Sequence, residues 1–487
     1  MRILFVDLDC LRSDHVGANG YHRNTTPNLD RVAAGGVTFT RAYCANSPCL
    51  PARASLFTAR FGINNGIVAH HGTGERLRWT HEGHWRDPAR PFFQHHLWSK
   101  GMKTVSFSCF HDRHNAWWFT AGWQELHTFT RKRGQETADE VNAAALPWLT
   151  AHAREDNWFL HVHYWDIHTH YRITQEWADR FADDPPPAWP DQAAIDRHQR
   201  IYGPKTALDL FTLRDTSPTP VMPDAVRTVA DFRKLVDGYD GAIAYADHHA
   251  GQLLQALDDA GVLEDTAVII TGDHGDSFGE HGQYTDHGIA NEAVHNVPMI
   301  VKWPGLPARG RREELIYIMD IAPTVCELMG FPVPAGWDAR SFAPALRGEE
   351  FRGWPYLVYD HGIYTFTRTV RTPDWMLMQV LHPGLYPYDD PVMLHDMKKD
   401  PHQQVNLAAE RPEVVGELSR YLAEWRQEQV RKGGVPDPLE EMVPVGPFLY
   451  CKPEPFIERL RKTGRGHFAD DLIRRLSRFH PEGFNPH

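Results

Sequence analysis

Four apolar runs of the sequence each lead directly into a group of acidic, histidine or cysteine residues. Residues 2–8, RILFVDL, precede Asp9, and similar runs lie at 103–108, 158–165 and 267–271. Near-continuous apolar runs are typical of parallel strands buried on both faces. Because ligands of such sheets bind beyond the carboxyl ends of the strands, the pattern predicts one shared polar site. Its candidate residues are Asp9, Cys109, His111, Asp166, His168, Asp273 and His274.

Helical patterns alternate with these runs and set the fold class. They lie at 26–35, 138–154 and 236–260. The alternation predicts an α/β fold over residues 1–347, with helices sandwiching a mostly parallel central sheet. Residues 172–231 are rich in proline in part and lack periodicity, which indicates an insertion over the site.

The pattern changes after residue 347. Short β-rich runs at 364–371, 375–381 and 392–397 and an amphipathic helix at 413–432 predict a smaller α+β domain, built on an antiparallel sheet, over residues 348–440. Residues 441–487 mix proline, aromatic and basic residues. We expect them to form a tail or arm that packs on its own chain or on a neighbouring subunit of a homo-oligomer.

Composition excludes several classes of partner. With 51 Lys and Arg against 63 Asp and Glu, the formal charge of −12 argues against a nucleic-acid partner bound through a basic face. No apolar run reaches the roughly 18 residues of a membrane span, and Asp7 and Asp9 interrupt any signal-peptide core. We therefore expect a cytoplasmic protein with no membrane partner. Six cysteines are too sparse for a disulfide framework, which favours a reactive role for any special cysteine.

The segment around Cys49, SPCLPARASL at 47–56, carries the strongest chemical signal. Pro51 suits the first turn of a helix, which places Cys49 close to its N-cap. Free backbone N–H groups and the helix dipole favour an anion at that position. Arg53, one turn further on, adds a guanidinium suited to a tetrahedral oxyanion or to an oxygen on residue 49.

The CxPxR segment and its flanking motifs resemble those of the formylglycine-dependent (type I) sulfatases of the alkaline phosphatase superfamily. The similar segments are DCLRSDH at 9–15, TPNLD at 26–30, TGDHG at 271–275 and later motifs at 296–305, 320–324 and 394–407. Together they cover most of residues 1–435. The resemblance implies an alkaline phosphatase-like fold. It also implies that a formylglycine-generating or anaerobic sulfatase-maturating enzyme oxidises Cys49 to formylglycine.

The resemblance further implies one divalent cation. Its ligands would be Asp9, residue 49, Asp273 and His274, a hard donor set that suits Ca²⁺, Mn²⁺ or Mg²⁺. Cys10 stands where the family carries a second acidic residue. This substitution lowers the anionic ligand count, which weakens the case for Ca²⁺ and keeps Mn²⁺ as a candidate.

Catalytic roles follow from the same resemblance. The hydrated aldehyde of residue 49, helped by Asp273, attacks sulfur or phosphorus, and His111 is the expected base that releases sulfate or phosphate from the covalent ester. His168 is expected to contact the transferred group and to protonate the leaving oxygen. His70 and His287 are candidates for substrate binding.

Two positions depart from the family pattern and bear on the substrate. Lysines are expected where Cys109 and Asp286 stand. Their loss predicts a pocket with less cationic charge, which suits a small anionic ester carrying a single negative charge. We favour sulfate ester hydrolysis. The alternatives are a phosphonate monoester hydrolase or phosphodiesterase using the same site, and a non-catalytic member that binds a metal and an anion.

Overall fold

The computed structural model describes residues 1–78, 90–211 and 219–479. Each of the four apolar runs forms a strand of one sheet, and this larger sheet contains nine strands among the described residues. The strands are β1 (Arg2–Leu8), β2 (Val37–Tyr43), β3 (Asn46–Ser47), β4 (Lys103–Phe107), β5 (Glu125–His127), β6 (Trp158–Tyr164), β7 (Thr266–Gly272), β8 (Asn296–Lys302), β9 (Gly310–Arg312), β10 (Ile316–Tyr317), β11 (Leu357–Gly362), β12 (Phe366–Arg371), β13 (Trp375–His382) and β14 (Val392–Asp396).

The larger sheet is mostly parallel, as predicted. Strand β1 lies between β6 and β7 and runs parallel to both, and β4 runs parallel to β6 and β5. Strand β8 runs antiparallel to β7 and β2. The strand order is β10-β2-β8-β7-β1-β6-β4-β5, with β9 also paired to β2. The parallel pairing brings the carboxyl ends of β1, β4, β6 and β7 to one edge.

Helices lie between the strands in sequence and cover both faces of the sheet. The helices are α1 (Pro27–Ala34), α2 (Cys49–Thr58), α3 (Gly62–Asn65), α4 (Phe93–Ser99), α5 (Phe110–His114), α6 (Ala138–His152), α7 (Gln175–Asp179), α8 (Gln192–His198), α9 (Val229–Asp259), α10 (Glu292–His295), α11 (Ile321–Leu328), α12 (Ala343–Arg347), α13 (Pro412–Gly433), α14 (Pro438–Met442), α15 (Pro453–Lys462) and α16 (Gly466–Phe479).

Strand β1 shows why its sequence is apolar at nearly every position. Leu4, Val6 and Leu8 belong to a core cluster shared with α6 and α9, whereas Ile3 and Phe5 belong to a second cluster shared with α2 and α11. Because successive side chains of a strand point to opposite faces, each face of the sheet packs against its own helical layer. The predicted α/β sandwich is therefore confirmed.

The smaller sheet is antiparallel from β14 through β13 and β12 to β11, again as predicted. Its last strand is β3, which pairs in parallel with β11 although it comes from the N-terminal part of the chain. Since β3 ends at Ser47, two residues before Cys49, the start of α2 is held where the two sheets meet.

The longest helix begins earlier than its apolar periodicity indicates. Helix α9 starts at Val229, seven residues before the predicted position 236, because a capping box precedes it. The Asp231 carboxylate accepts a hydrogen bond from the Thr228 backbone N–H at 2.8 Å, and the Thr228 hydroxyl accepts one from the Asp231 N–H at 3.2 Å. Such a box satisfies backbone groups at a helix start without requiring apolar residues.

The C-terminal tail packs on its own chain over the described residues. Phe456, Leu460 and Leu472 of α15 and α16 form a small core with Tyr202 and Leu385. Packing on a neighbouring subunit and the domain boundaries stay predictions. Residues 212–218 of the predicted insertion and 480–487 of the tail lie outside the described residues. Over the described part of the chain, no helix combines the length and apolar character needed to cross a membrane.

Candidate active site

Two strand ends and one helix start bring four side chains together. Asp9 follows β1, Asp273 and His274 follow β7, and Cys49 is the first residue of α2. Their potential ligand atoms all lie within 4.8 Å of one another, and the Cys49 Sγ is 3.1 Å from the His274 Nε2. All four side chains are buried. This is the set that the sequence predicts as metal ligands.

Arg53 lies beneath this cluster and engages every nitrogen of its guanidinium. Its Nε and Nη2 donate to the two carboxylate oxygens of Asp7 at 2.8 and 2.9 Å, and its Nη1 donates to Asp9 at 2.8 Å and to Asp273 at 2.6 Å. The Nη2 also contacts His163 Nε2 at 2.6 Å. Arg53 therefore holds the cluster carboxylates, and its predicted contact with a tetrahedral oxyanion or with an oxygen on residue 49 stays a prediction.

The cluster carries an excess of negative charge. Asp7, Asp9 and Asp273 share the single guanidinium of Arg53, and all four groups are fully buried. Burial raises the pKa of Asp273 well above its ordinary value; Arg53 opposes this rise and Asp9 adds to it. Ionised carboxylates buried this close together need further positive charge.

The donor set fits a divalent cation. Burial lowers the pKa of His274 well below its ordinary value, which keeps the imidazole in the neutral form that binds metals. Its Nδ1 lies 3.0 Å from the Gly275 carbonyl oxygen, which leaves Nε2 directed at the cluster. Two carboxylates and an imidazole beside residue 49 suit a hard divalent ion. The residues that would hold it are Asp9, residue 49, Asp273 and His274.

His287 is held as a cation beside this set. Its Nδ1 lies 3.2 Å from an Asp276 oxygen and 2.9 Å from an Asp286 oxygen. Burial alone would lower the pKa of His287, but Asp286 and Asp276 raise it to about 10. Its ring centroid is 4.1 Å from that of His274. The vacant lysine position at Asp286 predicts a loss of positive charge in this region. His287 supplies a positive charge there.

A group of two histidines stands on the opposite side of residue 49. The Leu50 N–H donates to His70 Nε2 at 3.3 Å, so His70 takes up one of the free amides at the start of α2. The His70 ring packs edge-to-face on His114 at 4.9 Å. The His114 side chain is half-buried, and its Nε2 atom is buried with no hydrogen-bond partner among the described residues. His114 is not among the site residues that the sequence predicts.

His111, the predicted base, lies one helical turn earlier in α5 and points elsewhere. Its Nε2 lies 3.2 Å from the Thr128 hydroxyl, its buried Nδ1 has no hydrogen-bond partner, and no hydrogen bond joins it to the cluster among the described residues. By contrast, the pKa of His114 is lowered well below its ordinary value by burial, His70 and Arg113, with Asp9 opposing. Its position near these charges makes His114 the α5 histidine that faces the site.

His168 adjoins the cluster in a hydrogen-bonding state that suits an acceptor. Its Nδ1 lies 2.5 Å from the Thr169 carbonyl oxygen, which fixes the proton on that nitrogen, and its Nε2 accepts from Arg113 Nη2 at 3.1 Å. Burial lowers the pKa of His168 to about 3, and Arg113 lowers it further while Asp9 opposes. A neutral imidazole in this tautomer has no Nε2 proton to give to a leaving oxygen.

Cations from other elements stand near the vacant lysine positions. Arg113 of α5 packs over the Trp165 ring at 5.0 Å, and Arg172 and Lys205 line the same cavity as His168. The expectation of a less cationic pocket stays a prediction, because these three residues supply cations from elements outside the matched motifs. The sequence alone misses these residues because they come from a short helix and from the irregular segment 172–231, where no motif marks them.

A mostly parallel sheet with a carboxylate-rich cluster at its carboxyl ends, beside a smaller antiparallel sheet, is the arrangement of the alkaline phosphatase-like α/β fold. The sulfatase family profile matches residues 2–331, and a profile for the C-terminal part of N-sulphoglucosamine sulphohydrolase matches residues 279–428. The chain belongs to the sulfatase family, a family of sulfuric ester hydrolases. This confirms the resemblance read from the motifs.

Individual relatives are distant. The chain is 27% identical over 451 residues to the Δ4,5-hexuronate-2-O-sulfatase of Bacteroides thetaiotaomicron, covering 87% of this chain and 86% of that protein. It is 25% identical to an arylsulfatase of Clostridium perfringens, covering 75% and 81%. Among solved structures, the phosphonate monoester hydrolase of Agrobacterium radiobacter has a TM-score of 0.67 at 20% identity, covering 88% and 96%. This last likeness concerns the fold.

The ligand assignment predicts a cation-dependent stability that one substitution removes. Adding Mn²⁺ or Ca²⁺ to chelator-treated protein should raise the melting temperature, because binding at 100 times the Kd adds about 2.7 kcal/mol to the free energy of unfolding. Asp9→Ala should abolish this shift. Asp276→Asn is the matched control, since Asp276 belongs to a neighbouring group formed with Cys10, His274 and His287. A shift that persists in Asp9→Ala and disappears in Asp276→Asn would assign the cation to the neighbouring group instead.

Proposed function

We propose that this protein hydrolyses sulfate monoesters with residue 49, oxidised to formylglycine, as nucleophile and with one divalent cation at Asp9, Asp273 and His274. The observation that carries the proposal is the position of Cys49, at the first turn of α2 and 3.1 Å from His274. When bound, the cation supplies positive charge next to the nucleophile and the ester. The metal identity among Ca²⁺, Mn²⁺ and Mg²⁺ is part of the proposal.

The surroundings of Cys49 favour its oxidised form as the working nucleophile. Burial raises the pKa of the thiol well above its ordinary value, and Asp9 and Asp273 add to this rise while Arg53 opposes it. The thiolate is the nucleophilic form of cysteine, so this environment disfavours reaction by the unmodified side chain. A hydrated aldehyde needs no thiolate, and its oxygens suit the hard donor set around it.

His114 is the residue that we propose as base for release of the bound sulfate, in place of His111. It is neutral because burial lowers its pKa, and its Nε2 has no hydrogen-bond partner among the described residues. A neutral imidazole with an available nitrogen can accept a proton from the second hydroxyl of residue 49. His70, which contacts the Leu50 N–H, would hold the orientation of His114.

We assign the proton donor for the leaving oxygen to His287 and leave His168 and Arg113 as contacts of the transferred group. His287 carries its proton near neutral pH because its two carboxylate neighbours raise its pKa to about 10. Its ring centroid lies 6.1 Å from that of His168, which lines the cavity beside the cluster. His168 accepts a hydrogen bond from Arg113, so the guanidinium is the charged donor of that pair.

Hydrolysis of phosphonate monoesters or phosphodiesters is the second candidate. The fold likeness to the Agrobacterium radiobacter phosphonate monoester hydrolase supports it, and these esters carry one negative charge, as a sulfate monoester does. The same site would then accept both classes. A non-catalytic role as a metal and anion-binding protein is the third candidate, and the test of residue 49 below separates it from the others.

The nucleophile assignment is tested by turnover and by mass. Protein produced with a formylglycine-generating enzyme should show, at residue 49, the mass of a CHO group in place of CH₂SH, and should hydrolyse 4-nitrophenyl sulfate. Cys49→Ala should lose all measurable turnover because it deletes the nucleophile. Cys326→Ala, in the buried core of α11, is the control for loss of a buried cysteine and should retain activity. Converted protein that turns over neither this ester nor an aryl phosphonate monoester would favour the non-catalytic candidate.

The base assignment predicts a difference between two histidines of one short helix. His114→Ala should accumulate the covalent sulfate ester on residue 49, giving a burst of aryl alcohol followed by turnover slowed about 100-fold or more. His111→Ala should stay within a few-fold of wild type, since its imidazole contacts Thr128. Intact-mass analysis of the quenched reaction measures the trapped ester. A burst in His111→Ala but not in His114→Ala would restore the base role to His111.

The donor assignment predicts how rate depends on the leaving group. In His287→Asn the rate should fall most for aryl sulfates with poor leaving groups, because a good leaving group needs little protonation. In His168→Ala all leaving groups should be slowed by a similar factor, as expected for a residue that contacts the transferred group. The measurement is the slope of log(kcat/KM) against the pKa of the leaving phenol. A steeper slope in His168→Ala alone would assign the proton donation to His168.

A further inference from the structure

A cavity of about 340 Å³ lies beside the four candidate metal ligands, beyond His168. Its inner side is formed by His168, Arg113 and Asp286, all next to the proposed catalytic groups, and its outer side by the C-terminal tail. The remaining lining residues include Arg172, Lys205, Asp209, Phe211, Tyr364, Tyr450, Lys452, Pro455, Phe456 and Arg459. The cavity is therefore placed to hold the part of an ester that leaves.

Positive charge exceeds negative charge in this lining. The two carboxylates are already engaged: Asp286 lies 3.5 Å from the Lys205 Nζ, and Asp209 accepts from Arg459 at 2.6 Å. Asp209 is also held by Arg465 from outside the lining. Lys205 and Arg459 are thus balanced locally. Three further cations of the lining, Arg113, Arg172 and Lys452, are not part of these pairs.

Among these cations, Arg172 gives the clearest indication of an anion-binding site. It is half-buried, and its Nη1 donates to the backbone carbonyls of Trp165 and His168 at 3.1 and 3.3 Å. Among the described residues, no carboxylate lies within ion-pair distance of Arg172 or of Arg113. Guanidinium groups that lose solvent are normally paired with a carboxylate or another anion.

The lowered pKa of Arg172 is consistent with a site that binds an anion. Burial lowers its pKa, and the nearby charge of Arg113 lowers it further. Asp166, Asp9 and Glu136 oppose this effect without an ion pair to Arg172, and they do not cancel it. An anion beside the Arg172 guanidinium would offset both its burial and the repulsion from Arg113.

We propose that the cavity binds a second anionic group of the substrate, a carboxylate or a further sulfate, carried on the leaving part of the ester. Arg172 is the principal contact and Lys452 of the tail an auxiliary one. The aromatic rings of Phe211, Tyr364 and Tyr450 offer an apolar wall for the ring that carries the group. This inference rests on the proposed ester hydrolysis, because it assigns the leaving part of that ester to the cavity.

Three matched esters test the proposal: 4-nitrophenyl sulfate, the same ester with a carboxylate on the ring beside the sulfate, and the same ester with a second sulfate there. In wild type, kcat/KM for at least one dianionic ester should exceed that of 4-nitrophenyl sulfate about ten-fold, mainly through KM. Arg172→Gln should reduce this ratio about ten-fold. Comparison of the two dianionic esters identifies which anion the cavity prefers.

Charge and folding are controlled separately. Arg420→Gln removes one positive charge on the exposed face of α13 and should leave the ratio unchanged. Lys452 is exposed on the outer wall of the cavity, and Lys452→Gln should reduce the ratio by a smaller factor. This variant replaces Arg172→Gln in the test if Arg172→Gln does not fold. A ratio near one in wild type, or an equal ratio in Arg172→Gln and Arg420→Gln, would overturn the proposal.

A binding measurement separates failure of this inference from failure of the proposed function. Calorimetry on Cys49→Ala, which cannot turn over, should show tighter binding of the favoured dianionic ester than of 4-nitrophenyl sulfate, and Arg172→Gln in that background should remove the difference. If wild type hydrolyses none of the esters but this difference is found, the second-anion site stands and the proposed function falls. If all three esters are hydrolysed and bound equally, the function stands and the site falls.

Discussion

The pairing of Arg53 with three buried carboxylates is the interaction on which the active-site geometry depends. A buried guanidinium is tolerated only where its donors are satisfied, and here each nitrogen contacts a carboxylate. Two of those carboxylates belong to β1 or its end and the third follows β7. Because Arg53 lies one turn beyond residue 49, the same contacts fix the start of α2 against the sheet edge. Residue 49, the proposed nucleophile, is therefore positioned by a charge network beneath it.

Because the cluster carboxylates engage Arg53, we expect other residues to contact the anionic ester. With its donors occupied, Arg53 has none left for an ester oxygen. Arg113 and His287 stand instead on the open side of the cluster, each fixed by partners of its own: Arg113 by His168 and the Trp165 ring, His287 by two carboxylates. Fixed donors lose little freedom when an anion binds, which is the arrangement expected where geometry matters for catalysis.

The sequence could predict the parts of the site that follow from strand periodicity and from the CxPxR segment at the start of α2. Asp9, Asp273 and His274 follow apolar runs, so their meeting at one edge is a consequence of parallel pairing. His111 and His114 lie three residues apart on the same short helix, and which of them faces the site depends on how α5 packs. No periodic pattern marks Arg172 and Lys205, and Lys452 enters the cavity only because the tail folds back on its own chain. The start of α9 escaped prediction because a polar capping box, and no apolar stripe, sets it.

The balance between positive and negative charges in the site links the two vacant lysine positions to the charge of the ester that the site can bind. One divalent cation with Arg53 would neutralise Asp7, Asp9 and Asp273, leaving the cluster close to uncharged. The His287 charge is offset by Asp276 and Asp286, so His287 offers a proton while adding no net positive charge. Under the proposed function Arg113 contacts the transferred group, and no carboxylate lies within ion-pair distance of it among the described residues. A single positive charge matches a monoanionic sulfate or phosphonate monoester, and a dianionic phosphate monoester would leave one charge unpaired in a buried site. The two lysine positions of the family are thus vacant while cations from other elements stand nearby, and we expect the charge of Arg113 beside the ester to favour singly charged ester groups.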